Sequence, residues 1–191
     1  MCDLIVENQH VERELDIDEL KVMIPELKKL MFEDFTEIQS KLKSFLAECG
    51  IRFSIVKHFT GAPVRGFIKK NEDGTLNLLM TTRQKFADIF WFTFFHEIGH
   101  IIYGDIEDKL IDYDFAIGEA EDKANKYAAN TLLDGSDYED FVKKGDFSIF
   151  SIREFCKKQN IPTFILIGRL QKEGFISYSQ FAEEKVKYEI E

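Results

Sequence analysis

Three polar residues on one predicted helix could bind a metal ion and act on a water molecule. His96 and His100 are four positions apart, so a helix places both imidazoles on one face, one turn apart. Two neutral imidazoles suit zinc. Glu97 could take a proton from the attacking water and pass it to a leaving amine. The spacing therefore predicts a zinc site with Glu97 as the general base.

The same residue types can also be ordinary surface or core residues, and this spacing occurs by chance. Residues 90–95, which precede the motif, are almost wholly apolar and predict a buried helix. Buried histidines need polar partners, and one metal ion would satisfy both. Gly99 would let another backbone approach the helix closely. This context favours metal binding.

A catalytic zinc site needs a third protein ligand in addition to water. The chain has four histidines, and a third motif histidine at position 106 is absent because Ile106 stands there. We therefore expect the third ligand to be a carboxylate from the next predicted helix, residues 119–133.

Three acids stand near the start of that helix, and rotation of about 100° per residue keeps them from sharing one metal ion. Glu121 is the preferred ligand because it shares a face with alanines three and seven positions later, which would pack closely on the motif helix. Glu119 should reach solvent, and Asp122 is shorter and turns outward. Asn125, one turn beyond Glu121, could hydrogen-bond a ligating histidine and fix its tautomer.

The elements around the motif follow from hydrophobic spacing and turn residues. Apolar residues at three- and four-residue steps predict one amphipathic helix from Pro25 to Gly50. The motif helix should run from Arg83 to Tyr103, stop at Gly104, and be followed by an acidic loop to Gly118. Strands are predicted at 51–55, 64–69 and 76–80, and two short helices at 152–159 and 162–172.

These elements predict an α+β fold, with a helical majority and a small antiparallel sheet beside the motif helix. We divide the chain into an N-terminal helical segment at 1–50, a zinc core at 51–146 and a C-terminal helical subdomain at 147–191. The two short helices of the last segment resemble a helix-turn-helix joined at Asn160. Residues 151–173 are basic overall, yet apolar side chains crowd the second helix, so partner docking or packing is favoured over DNA contact.

Composition narrows the class of protein. The 191-residue chain has a formal net charge of -10, which disfavours nonspecific binding to nucleic acid. Its three cysteines are odd in number and form no Cys-x-x-Cys pair, so neither a disulfide framework nor a thiolate zinc site is expected. The sequence contains neither a signal-like segment nor a bilayer-spanning apolar run. We expect a cytoplasmic protein without membrane partners.

Three blocks of sequence resemble the ImmA/IrrE family of metallopeptidases. The first combines Arg83, an aromatic run and the motif at residues 96–100. The second, residues 121–133, is similar to the family's Glu-x-x-Ala-Asn-x-Phe-Ala pattern followed by two leucines. The third, residues 167–171, is similar to a segment of antitoxin-associated relatives. Together the blocks cover roughly residues 50–175.

The resemblance implies a zinc-dependent endopeptidase that cleaves or inactivates a regulatory protein such as a repressor or antitoxin. It also implies Glu121 as the third ligand, since the family pattern begins there. Two departures touch no proposed ligand: Asp134-Gly135 replaces a frequent Met-Pro, and Tyr127 replaces a usual phenylalanine. Many relatives carry an N-terminal DNA-binding domain, which we do not recognise in residues 1–50.

The substrate side allows two further expectations. In zinc peptidases of this general type, an extended substrate pairs with an edge strand, and residues 76–80 are the candidate. Arg83 could bind a carboxylate or cap local structure.

The alternative function is a non-proteolytic anti-repressor or antitoxin module that retains the zinc fold. Glu97 favours the enzyme, since docking alone needs no general base.

Overall fold

Helices form most of the chain that the computed structural model describes, namely residues 11–57, 64–81, 85–106, 109–113 and 118–188. The helices are α1 (Ile17–Lys29), α2 (Phe35–Glu48), α3 (Ala87–Tyr103), α4 (Glu119–Leu132), α5 (Gly135–Lys144), α6 (Ile149–Gln159) and α7 (Thr163–Lys172), with 3-10 turns at Leu30–Phe32 and Ala182–Glu184. The strands are β1 (Ile51–Val56), β2 (Val64–Lys70), β3 (Leu76–Thr81) and β4 (Lys109–Tyr113). The predicted α+β class and helical majority are confirmed.

The sheet is small but mixed, with strand order β1-β3-β2-β4. β2 and β3 form an antiparallel hairpin, whose turn contains Gly74 at a φ of 78°. β1 pairs with the other edge of β3 in parallel. The expectation of an antiparallel sheet is therefore wrong for this pair, because alternating apolar residues predict a strand and not its direction.

The acidic segment after the motif helix contains the strand β4, where the sequence predicts a loop. β4 pairs antiparallel with the outer side of β2, and its register joins Phe67 to Ile111. The prediction of an unbroken loop to Gly118 is therefore wrong. Pairing by backbone hydrogen bonds requires no hydrophobic pattern in the sequence.

The single N-terminal helix predicted from Pro25 to Gly50 is two helices. α1 begins at Asp16, whose side chain accepts a hydrogen bond from the Glu19 N–H at 2.9 Å, and Pro25 lies inside it. The chain then leaves the helical region at Glu33 before α2 starts. Buried leucines occur on both sides of this break, so the apolar spacing continues across it. The spacing alone therefore does not reveal the boundary between α1 and α2.

α3 lies at the centre of the molecule and packs against β2, α1, α4 and α7. It starts at Ala87, later than predicted; Arg83, named as its start, lies outside the described residues. Gly104 ends it in the left-handed region at a φ of 72°, as expected. Trp91, Phe94 and Phe95 are fully buried in a hydrophobic cluster that also contains side chains from residues 1–50 and 147–191.

Three α-helices follow α4 in the described residues, and the first of them, α5, is not predicted from the sequence. Asn160 adopts a left-handed φ of 51° between α6 and α7, which confirms the predicted turn. Most of α7 is buried, and the helix packs against α3 and α6. Its buried residues are Phe164, Ile165, Leu166, Ile167, Leu170 and Gln171. Of the helices in the described ranges, none combines the length and apolar character needed to span a membrane.

Candidate metal centre

The two motif histidines face each other on the buried side of α3. His96 is 5% exposed and His100 is fully buried. The Nε2 atoms of the two rings lie 3.1 Å apart. The prediction that the helix places both imidazoles on one face is confirmed.

Glu121 reaches the same point from α4. One carboxylate oxygen lies 3.3 Å from Nε2 of His96, and the other lies 3.5 Å from Nε2 of His100. These three residues form a group that could hold a metal ion. Ligand atoms about 2.05 Å from zinc at tetrahedral angles are about 3.3 Å from one another. The donor types fit such an ion, and the 3.1 Å between the two imidazole nitrogens is close to this spacing.

The neighbouring acids point elsewhere, as predicted. Glu119 is largely exposed, and its carboxylate lies 2.9 Å from Nζ of Lys123 on the outer face of α4. Asp122 is exposed. Of the three acids at the start of α4, Glu121 is therefore the one that the structure places beside both histidines.

The close approach of the two helices depends on small residues. A Cβ atom added at Gly99 would lie 3.2 Å from Cα of Ala124 and 3.2 Å from the ring of Tyr127. Ala124 and Ala128 are fully buried in the contact. The expectations that Gly99 admits another backbone and that the alanine face of α4 packs on α3 are confirmed.

Two side chains lie behind the histidines. Oδ1 of Asn125 is 3.0 Å from Nδ1 of His96. With Nδ1 protonated, His96 donates this hydrogen bond and directs the lone pair of Nε2 toward Glu121. Asp105 was not predicted: its carboxylate lies 3.9 Å from Nδ1 of His100. In the sequence, only the position of Asp105 directly after the helix-ending Gly104 indicates that it lies near the end of the motif helix.

The surroundings of Glu121 disfavour its negative charge. Burial raises the pKa of this carboxyl group, and the nearby carboxylates of Asp105 and Asp122 raise it further. A cation held by Glu121 and the two histidines would offset both effects, because it supplies the opposite charge at the shortest distance.

Glu97 occupies the inner side of α3, next to the sheet. It is fully buried, and its carboxylate lies against the backbone of Gly66 in β2. This neighbour is not predictable from the sequence, because it depends on how β2 packs against α3. The carboxylate that follows His96 in the sequence is thus buried at the contact between α3 and the sheet.

The candidate substrate strand is contradicted by the sheet order. Residues 76–80 belong to β3, which lies between β1 and β2 and has both edges paired. An extended peptide therefore has no edge of β3 to join. Arg83, the other substrate-side candidate, lies outside the described residues.

Comparison with known proteins does not identify a family. No protein-family model matches the chain. No curated protein matches it either. The resemblance to the ImmA/IrrE family therefore stays a prediction that rests on the quoted motifs.

Proposed function

We propose that this chain is a zinc-dependent metallo-endopeptidase that cleaves or inactivates a regulatory protein, such as a repressor or antitoxin. One observation carries the proposal. His96, His100 and Glu121 bring three ligand atoms together inside the protein, and the buried carboxylate of Glu97 follows the first of them in the same helix. The regulatory target rests on the family resemblance alone.

Each residue has a distinct role in this proposal. His96, His100 and Glu121 hold the metal ion, and Asn125 orients His96. When bound, zinc polarises the peptide carbonyl and lowers the pKa of water to about 7. Glu97 accepts the proton of the attacking water on a carboxylate oxygen and returns it to the amine of the leaving fragment.

Zinc is the metal that the donor set favours. Two imidazoles and one carboxylate are the ligands of one class of catalytic zinc sites, which keep a further position for water. Hard ions such as magnesium and calcium prefer sites made of oxygen ligands. The 3.1 Å between the two Nε2 atoms is close to the ligand spacing around this small tetrahedral ion.

The substrate requires a different strand from the one first expected. β2 is the strand beside Glu97, and β4 covers its outer side. In the described part of the sheet, β4 is the last strand in that direction. A substrate in extended conformation would pair with this outer edge, where backbone hydrogen bonds provide affinity with little side-chain specificity.

The second candidate is a docking module that retains the metal fold without cleaving its partner. A buried carboxylate costs free energy, and docking alone does not need one at this point. The retention of Glu97 in a fully buried position therefore favours the enzyme. DNA binding is less favoured, because the face of α7 that would have to be exposed for reading bases is largely packed against the protein.

The decisive experiment separates metal binding from chemistry. Glu97→Gln should keep the metal, because Glu97 is not a ligand, and should reduce cleavage by about 10²–10⁴-fold. The assay is co-expression with the product of the neighbouring reading frame, followed by detection of its fragments. Glu139→Gln is the matched control on an exposed helix face. Full relief of repression by the Glu97→Gln variant would favour the docking module.

A further inference from the structure

Gly66 marks the point where the sheet touches Glu97. A Cβ atom built at this position would lie 1.8 Å from Oε1 of Glu97, 2.3 Å from Cδ and 3.0 Å from Cγ. The first two distances are far below any van der Waals contact between heavy atoms. Gly66 does not have a positive φ, so its backbone conformation does not require glycine. Glycine is required at this position because the Glu97 side chain occupies the space that a Cβ atom would take.

Both partners in this contact lie in regular elements, with one register shift between β2 and β4 next to Gly66. Gly66 lies in the interior strand β2, paired with Met80 on one side and with Asp112 on the other. Glu97 lies on α3, where the neighbouring Phe95 and Ile98 are fully buried. The atoms that a side chain at position 66 would meet belong to the flexible end of Glu97, so that end is the part that it would displace first.

We propose that Gly66 is a positioning residue that fixes the carboxylate of Glu97 at its working position. This inference rests on the proposed function, because the carboxylate end is the part of Glu97 that handles the proton. The backbone of Gly66 closes one side of the space around that carboxylate. The fold can accommodate a shifted carboxylate at moderate cost, whereas proton transfer depends on its location to within about 1 Å.

The first test measures stability, independently of any substrate. Gly66→Ala should lower the Tm of the zinc-loaded chain by roughly 4–10 °C, the expected result of overpacking a buried contact. In a Glu97→Ala background the same substitution should lower Tm by less than about 2 °C, because the displaced atoms are gone. Gly135→Ala is the matched control, since its added Cβ would meet only Oδ1 of Asn130 at 3.4 Å. An equal loss in both backgrounds overturns the inference.

The second test measures cleavage of an internally quenched peptide, selected from a random library with the unsubstituted chain. Gly66→Ala should reduce kcat about 10–100-fold, with KM and zinc content unchanged. A Gly66→Ala variant with unchanged kcat overturns the inference. If the unsubstituted chain cleaves neither library peptides nor its co-expressed neighbour, the proposed function fails, and the Tm comparison alone decides whether Gly66 fixes Glu97.

Discussion

The candidate metal centre and the C-terminal helix pair are both built from two helices that carry polar groups, but the polar groups are arranged in opposite ways. At the centre, α3 and α4 turn His96, His100 and Glu121 toward one point. In the C-terminal pair, the basic side chains point apart. Three of them meet separate acids: Arg153 pairs with Glu184, Lys158 with Asp137 and Arg169 with Glu173.

The difference shows which polar patterns indicate chemistry. Convergent ligand atoms inside a helix contact lack the solvent that would otherwise satisfy them, so an ion there stabilises the contact. Dispersed pairs at a surface are already neutralised and solvated. The basic character of residues 151–173 therefore fits a solvated exterior over the buried side chains of α7. The convergence of the histidines and Glu121 supports the proposed metal site.

The largest effect should come from removing the ligand on α4. Glu121→Ala should weaken zinc by more than the 10–100-fold that loss of an outer partner typically costs, and it should abolish cleavage. Glu119→Ala, which removes only the exposed contact to Lys123, should leave affinity nearly unchanged. Competitive titration against a chromophoric chelator measures both. If Glu119→Ala or Asp122→Ala releases the metal and Glu121→Ala does not, the assignment of the third ligand is wrong.

An intermediate effect is expected at the residue behind His96. Asn125→Ala removes the acceptor at 3.0 Å from Nδ1 and should weaken zinc about 10–100-fold. Asn125→Asp keeps an acceptor and should retain most of the affinity. Lys126→Ala, on the exposed part of the same helix, is the control. Equal affinities for the alanine and aspartate variants, both well below the control, would show that the hydrogen bond is not the cause.

The smallest effect should come from the C-terminal bases. Lys157→Glu combined with Lys158→Glu should change neither zinc content nor cleavage, since both residues are exposed and Lys158 pairs with Asp137 outside the proposed site. The unsubstituted chain should give no gel shift at nanomolar protein in physiological salt, given its net charge of -10. A specific gel shift that this double substitution abolishes would show that the C-terminal helix pair binds nucleic acid. The conclusion that its basic side chains are only a solvated surface would then be wrong.

The sequence predicted the elements that have strong side-chain patterns. β1, β2, β3, α3 and α4 all lie within a few residues of their expected positions. α5 was missed because only Tyr138 and Phe141 are buried along it, which is too little for a recognisable apolar stripe. β4 was missed because it joins the sheet through its backbone, and the parallel pairing of β1 depends on contacts that no local pattern encodes.

The site was predictable where it depends on helical geometry. The four-residue spacing placed His96 and His100, and the small-residue face of α4 selected Glu121 and Asn125. Gly66 and Asp105 were not predictable, because their relation to the site arises from the packing of a strand and from the path of the chain after α3.

The most direct test of the metal centre is the metal content and position in the purified chain. Protein prepared without chelator should contain about one zinc per chain, as a single set of ligands requires. Anomalous scattering at the zinc edge should place it among the two Nε2 atoms and the Glu121 carboxylate. A folded chain that contains no metal and does not bind added zinc would contradict the proposed metal site.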